Sequence, residues 1–464
     1  MLSLFDNDRG YGRREFLRIG GLSLGGLSLA QLLAGTSSGA ASSGKLLTGK
    51  SVIYLFMHGG PSQFETWDPK MTAPSGIHSQ TGELATSIPG VTFGGTFPKL
   101  AQRAHRLSVV RSFSTGDANH DIKPIVSKET GGANLGALFA RVAGPNNATT
   151  GMPTNAVLFP QSVDATTQPG NNNFGKFAAT GQLGSAYAPF VPGAGGNLQQ
   201  DMKLSLPMDR LDDRRRLLAG LDQVKWARDQ GQFDGLDRMR EQAFSTILGG
   251  VASAFDLSKE DPAVVARYDT SSLLRPEEIS KKWNNHKNYA DNARSLGKLL
   301  LLARRLCEAG CGFVTVTTNF VWDMHADVNN ASCEEGMRYM GHPFDHAVSA
   351  FLDDVESRGL SDQILLVCSG EMGRTPRVNK GGGRDHWGNL APLLLSGGGL
   401  RKGQVVGQST RDGGEAHTDP VTMKHLMATV LGTVLDPGEL RVTRSIPSDV
   451  LEAALGSPPI PGLT

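Results

Sequence analysis

Short apolar runs alternate along this chain with charged segments of helical length, and a polar loop follows most of the apolar runs. Residues 51–57 (S-V-I-Y-L-F-M) are continuously apolar after the first position, and similar runs occupy 107–113, 154–159, 311–318, 363–368 and 391–396. Runs of this length, apolar at successive positions, predict strands buried on both faces. Residues 276–308 and 334–358 are charged and amphipathic over helical lengths, the second stopping near Gly359, and 421–431 predicts a closing helix. Residues 209–255 are also expected to be mostly helical, and Gly250, Asp261-Pro262 and Ser271-Ser272 are the breaks across 209–308. From 161 to 197 the chain turns rich in Gly, Asn, Gln and Thr without either periodicity, which predicts a long irregular insertion near the mouth of a site. Strands alternating with helices predict an α/β fold, a mostly parallel central sheet with helices on both faces.

In such a sheet the loops beyond the strand ends converge on one edge, where open α/β sheets bind ligands. That convergence brings His58, Ser62, Asn119, His120, Asp323, His325, Glu371, Asp385 and His386 within potential reach of one another. Residues 369–388 (S-G-E-M-G-R-T-P-R-V-N-K-G-G-G-R-D-H-W-G) are the richest of these segments. They read as a glycine-rich loop that can fold tightly around something small. Asp323 and His325 lie two apart, and His386 adds a second imidazole, a ligand set suited to zinc with a position left open. Glu371 would be a fourth ligand, a bridge to a second ion, or a general base. Arg374 or Arg384 would clamp an oxyanion such as phosphate or sulfate. A divalent ion in such a site lowers the pKa of bound water to roughly 7 and stabilises charge on a departing oxygen, so ester hydrolysis is the reaction class implied.

Composition narrows this picture. With 464 residues, 39% of them hydrophobic, the chain can bury a large core, and a formal charge of +1 gives no basic face for nucleic acid. Four cysteines without a C-x-x-C pair are too few for a disulfide scaffold; Cys307 and Cys311 either pair across a helix end or remain buried thiols. Residues 12–18 (G-R-R-E-F-L-R) precede a mildly apolar, glycine-broken stretch at 19–34 and a small-residue run at 35–44. This resembles a twin-arginine export signal, with Ala40 a possible cleavage point. A retained anchor is the alternative, although its glycines and serines dilute the roughly 20 apolar residues a span requires. The expected organisation is a signal and linker over 1–44 and a single domain over 45–464 with an insertion at about 161–290. The expected location is periplasmic or secreted, with the twin-arginine export machinery as a partner and no stable membrane span after processing.

Several motifs recur together: H-G-G-P-S-Q-F-E-T-W-D-P-K, R-S-F-S-T-G-D-A-N-H ending in E-T-G, V-W-D-M-H, S-G-E-M-G-R-T-P, G-G-R-D-H-W and L-L-L-S-G-G-G-L-R-K-G-Q-V-V-G. As an ordered set they resemble the signature blocks of the domain of unknown function 1501 family, over about residues 50 to 435, and many members of that family carry a twin-arginine signal. The family in turn looks like a branch of the alkaline phosphatase and sulfatase superfamily, which implies a large α/β/α sandwich with a metal site at the strand ends. On that resemblance Asp323 and His325 match the Asp and His that bind one metal, and His386 matches a later His ligand. Glu371 stands where the superfamily has an Asp in an S-D-H-G block, with Met372 in place of the His. Residues 117–131 resemble the stretch that carries the nucleophile and end in Thr130-Gly131, but C-x-P-S-R is absent and Asn119-His120-Asp121 stands there.

The resemblance therefore implies a hydrolase of a small-molecule or glycan phosphate or sulfate ester with a divalent metal ion: zinc, or else calcium, magnesium or manganese. Water, His120 or Ser62 would be the nucleophile, with Glu371 and Arg374 assisting. Asn119, Arg384, Asp385 and His58 would contact substrate. The alternative is a non-catalytic exported protein that keeps the fold for binding or assembly.

Overall fold

Residues 52–56 are apolar throughout because the strand that contains them, β1 (Ser51–Phe56), lies inside a sheet covered on both sides. The computed structural model describes residues 4–6, 9–11, 46–193 and 251–464. The paired-arginine segment and most of the helix expected over 209–255 lie outside the described residues; Val251–Phe255 is helical. Among the described residues no helix is long and apolar enough to cross a membrane.

The other strands that matter to the site are β2 (Ser108–Val110), β3 (Asn155–Leu158), β4 (Phe313–Thr317), β5 (Ile364–Ser369), β6 (Gly373–Val378), β7 (Arg384–Trp387), β8 (Leu393–Gly397) and β9 (Val405–Val406). Six of these join β1 in the seven-stranded central sheet, in the order β9-β2-β8-β5-β1-β4-β3. Within it only β8 runs against its neighbours. Each apolar run named above supplies one strand of this sheet, and the mostly parallel arrangement is the expected one. The unforeseen seventh strand, β9, is a two-residue edge.

Alternation along β1 sends Ile53 and Leu55 to one core and Val52, Tyr54 and Phe56 to the other. The first core is closed by α2 (His286–Glu308) and α3 (Cys333–Ser357), the second by α1 (Leu135–Ala143), α4 (Met423–Val434) and α5 (Ser448–Leu455). The result is an α/β/α sandwich. Register then positions the site: Phe56 pairs with both Thr317 of β4 and Ser369 of β5, so three parallel strands end level and their following loops start side by side.

The segment at 369–388 differs from the expected loop. β6 and β7 pair as an antiparallel ribbon with Arg374 opposite His386, and Asn379 closes its turn by accepting the N–H groups of Gly381 and Gly383 at 3.0 Å each. Backbone pairing across the ribbon gives those polar residues a fixed geometry that the glycine content did not suggest. All four cysteines are buried and unbonded, so Cys307 and Cys311 stay as thiols.

Candidate functional site

Four side chains meet where the strand loops converge. His120 comes from the segment beyond β2, Asp323 and His325 from the loop after β4, and His386 from β7. One ligand-type atom from each lies within 4.8 Å of the others. Asp323 Oδ1 is the hub: it is 2.7 Å from His325 Nε2 and 3.4 Å from both His386 Nε2 and His120 Nε2. The His325 and His386 Nε2 atoms are 2.6 Å apart.

The backbone around the hub is held in unusual conformations. Asn319, Phe320 and Ala326 have φ of 55°, 64° and 58°, a region side chains rarely occupy. Gly59, at φ +117°, packs so closely on this loop that a Cβ would stand 2.6 Å from Asp323 N. The first glycine of the H-G-G sequence is therefore required by close approach of two loops.

Electrostatics favour a cation here. Burial would raise the Asp323 pKa, but the Arg374 guanidinium and the three imidazoles gathered around its carboxylate hold it far below the usual carboxylate range. Burial also opposes charge on His120, yet Asp323 and Glu371 outweigh it and push the imidazole up to about 9. For His386 burial is the largest effect and lowers its pKa, which leaves the ring neutral and able to donate a lone pair.

The donor set fits a divalent ion. His120 Nε2 is buried and makes no hydrogen bond, while three imidazole nitrogens and a carboxylate oxygen face one point. His120 Nδ1 lies 3.0 Å from Glu371 Oε1, and the Glu371 carboxylate is itself fixed by the Gly59 N–H at 2.9 and 3.1 Å. A carboxylate behind a histidine in this way sets the tautomer that turns Nε2 toward a metal.

The remaining sequence-derived candidates fall elsewhere. Glu371 stands behind His120 and is not one of the clustered donors. Arg374 is spent on the protein: Nε donates to Gly60 O, Nη2 to Gly59 O and Asp323, and Nη1 to Arg384 O. Arg384 is wholly buried, where Glu65 and the carbonyls of Thr375, Pro376, Ile77 and His78 take its N–H groups. Neither guanidinium is therefore free to clamp an oxyanion. Ser62 Oγ accepts the N–H groups of Phe64 and Glu65 and so closes a buried turn. Asn119 is exposed, with its N–H on Asp117, and does not line the cleft described below. Asp385 is exposed at 3.6 Å from His325 Nδ1. His58 is enclosed by Phe56, Phe174, Phe177 and Phe320, and its two ring nitrogens have no partner.

Above the cluster opens a cleft of about 330 Å³. Phe174 and Phe320 stack in its wall at 4.4 Å, and Asn171, Asn173, Asn329 and Asn330 supply carboxamides. Asn171, Asn173 and Phe174 belong to the irregular segment expected near the mouth.

The sequence model of a protein of unknown function, DUF1501, matches residues 49–441. The chain belongs to the DUF1501 family. No curated protein matches this DUF1501 chain in sequence. Among solved structures it is similar to the phosphonate monoester hydrolase of Agrobacterium radiobacter, with 12% identity and a TM-score of 0.29 over 83% of this chain and 74% of that one. It is also similar to a variant of TAB5 alkaline phosphatase with magnesium bound in the M3 site, with 12% identity and a TM-score of 0.27 over 76% of this chain and 92% of that one. Within the DUF1501 chain the structure adds residues that sequence reasoning missed: Phe174, Phe320, Asn285 and Asn330. The doublets Asn284-Asn285 and Asn329-Asn330 are a visible signal, but only their pairing in space gives it meaning.

Proposed function

We propose that this chain is a metal-dependent hydrolase of phosphate or sulfate esters, exported by the twin-arginine pathway and active in the periplasm or outside the cell. The convergence of His120, Asp323, His325 and His386 at one point beneath the cleft carries this reading. Three imidazoles and a carboxylate suit zinc best, with calcium, magnesium and manganese less favoured by nitrogen donors. When bound, such an ion acidifies a water molecule and offsets charge on a leaving oxygen.

The chain's own groups set up the rest. Glu371 accepts the Nδ1 proton of His120 and aims Nε2 at the cluster. Arg374 compensates the buried Asp323 carboxylate without facing substrate. The stacked Phe174 and Phe320 offer an apolar wall for the alcohol part of the ester, a small molecule or a glycan. No Ser, Thr or Cys lines the cleft among the described residues, so water is the nucleophile the lining supports. The paired arginines and the small-residue run supply the support for export.

One observation favours the alternative, an exported binding protein without turnover: among the described residues no arginine or lysine side chain lines the cleft to hold an oxyanion. Elemental mass spectrometry of the signal-free protein, beside an Asp323→Ala, His386→Ala double variant, separates the readings. About one equivalent of a divalent metal, lost in the variant, with turnover of a phosphate or sulfate ester in that ion's presence, is the expected result. A wild type that takes up no metal after reconstitution would remove the hydrolase reading.

A further inference from the structure

Asp323 presents Oδ1 to the three imidazoles, and its other oxygen is held separately. Asn330 Nδ2 donates to Asp323 Oδ2 at 2.9 Å, and both residues are almost wholly buried. An ionised carboxylate only accepts hydrogen bonds, so Asn330 must turn its NH2 group toward Asp323 and its carbonyl oxygen away. That oxygen accepts Asn285 Nδ2 at 2.5 Å, and Asn285 Oδ1 in turn accepts Asn288 Nδ2 at 3.2 Å. Each amide thus has one orientation that satisfies its neighbours, and the donor direction runs only toward Asp323.

The origin of this chain is as informative as its end. Asn285 occupies the N-cap position of α2, where an Asn side chain ordinarily accepts an N–H from the first helical turn. Here it makes no such cap, and its carboxamide is directed to Asn330. The helix behind it is 23 residues long and packed into the core, which ties a strained strand-end loop to a rigid element. Asn330 N also donates to Asp327 Oδ1 at 2.7 Å and Ala331 N to Tyr289 Oη at 3.1 Å, so the backbone on both sides of the Asn330 side chain is fixed.

We propose that Asn288, Asn285 and Asn330 form a one-way carboxamide chain that orients Asp323 toward the three imidazoles, making Asn330 a positioning residue for divalent-ion binding. The proposal rests on the metal reading of the cluster. Asn330 removes the freedom of the carboxylate to rotate, so Oδ1 stays at the hub whether or not an ion is there. Hydrogen-bonded supports of this kind, one step behind a ligand, commonly change metal affinity by roughly ten- to a hundredfold when lost.

The parallel pair supplies an internal control. Asn284 Nδ2 donates to Asn329 Oδ1 at 2.8 Å, and Asn284 neither lines the cleft nor hydrogen-bonds to Asp323. The experiment is zinc affinity by competition with a chromophoric chelator for wild type, Asn330→Ala, Asn285→Ala and Asn284→Ala, with urea unfolding of each metal-free protein alongside. Asn330→Ala is expected to weaken zinc binding by about ten- to a hundredfold, and Asn285→Ala by about three- to tenfold, since it leaves the last bond intact. Asn284→Ala should bind as wild type does. Equal zinc affinity in wild type and a folded Asn330→Ala would overturn the proposal, as would an equal loss in Asn284→Ala, which would mark a general effect of the paired loops. If Asn330→Ala does not fold, wild-type affinity in Asn285→Ala overturns it instead. A wild type that binds no zinc overturns the metal reading itself and this role with it, an outcome distinct from a wild type that binds and an Asn330→Ala that binds equally.

Discussion

The guanidinium of Arg374 lies 2.7 Å from Asp323 Oδ1, the same oxygen that faces three imidazoles. Both side chains are buried, and Arg374 also satisfies the carbonyls of Gly59 and Gly60. Arg374→Ala strands a buried carboxylate and those carbonyls without a donor, at a cost of about 3–5 kcal/mol. Arg374→Lys keeps the charge but not the fork, so it should recover only part of that loss. Urea unfolding of the metal-free proteins measures both, and a loss below about 1 kcal/mol in Arg374→Ala would show that the pair does not hold the site.

His386 is the most accessible member of the cluster, with 30% of its side chain exposed. Its removal takes away a ligand and little packing. His386→Ala should lower zinc affinity by at least about a hundredfold and shift metal-free stability by less than about 1 kcal/mol. Retention of full affinity would place the ion elsewhere.

Proton linkage gives a third test, at His120. In the metal-free protein its pKa is pushed up to about 9, so near neutral pH the ring carries a proton that an ion must displace. Zinc affinity should therefore rise about tenfold per pH unit across the neutral range and level off as pH passes about 9. Competition titrations between pH 6.5 and 8.5 read the slope; a flat profile would mean that His120 enters binding already neutral.

His58 has the opposite sign. Burial among phenyl rings pushes its pKa down to about 4, so the unfolded chain binds a proton that the folded protein refuses. Its contribution to stability is complete above the ordinary value of about 6.5 and is lost as pH falls toward 4, by an amount on the order of 3 kcal/mol. His58→Phe, which suits the aromatic surroundings, should flatten stability between pH 6.5 and 4. An unchanged acid limb in urea unfolding would show that His58 is not the group responsible.

Much of this architecture is legible in the order of residues alone. Two-sided burial leaves an unmistakable trace, so the apolar runs at 51–57, 311–318 and 363–368 announce central strands and the amphipathic stretches announce α2 and α3. Residue type and order also mark Asp323, His325 and His386, because D-x-H and a later imidazole after strand ends are a local pattern tied to a known topology rule.

Other assignments depend on distance. Nothing local tells that Arg374 and Arg384 face protein carbonyls, or that His120 takes a place in the cluster with Glu371 behind it. Those outcomes are set by contacts between residues some 250 to 320 positions apart, such as His120 with Glu371 and Arg384 with Glu65. The sequence by itself determined the strands, the helices and which loops carry the chemistry, because burial and periodicity are written into neighbouring residues. Only the tertiary structure decided which polar groups are satisfied by the protein and which remain directed at a ligand, because a donor or acceptor is spent or free according to what packs against it.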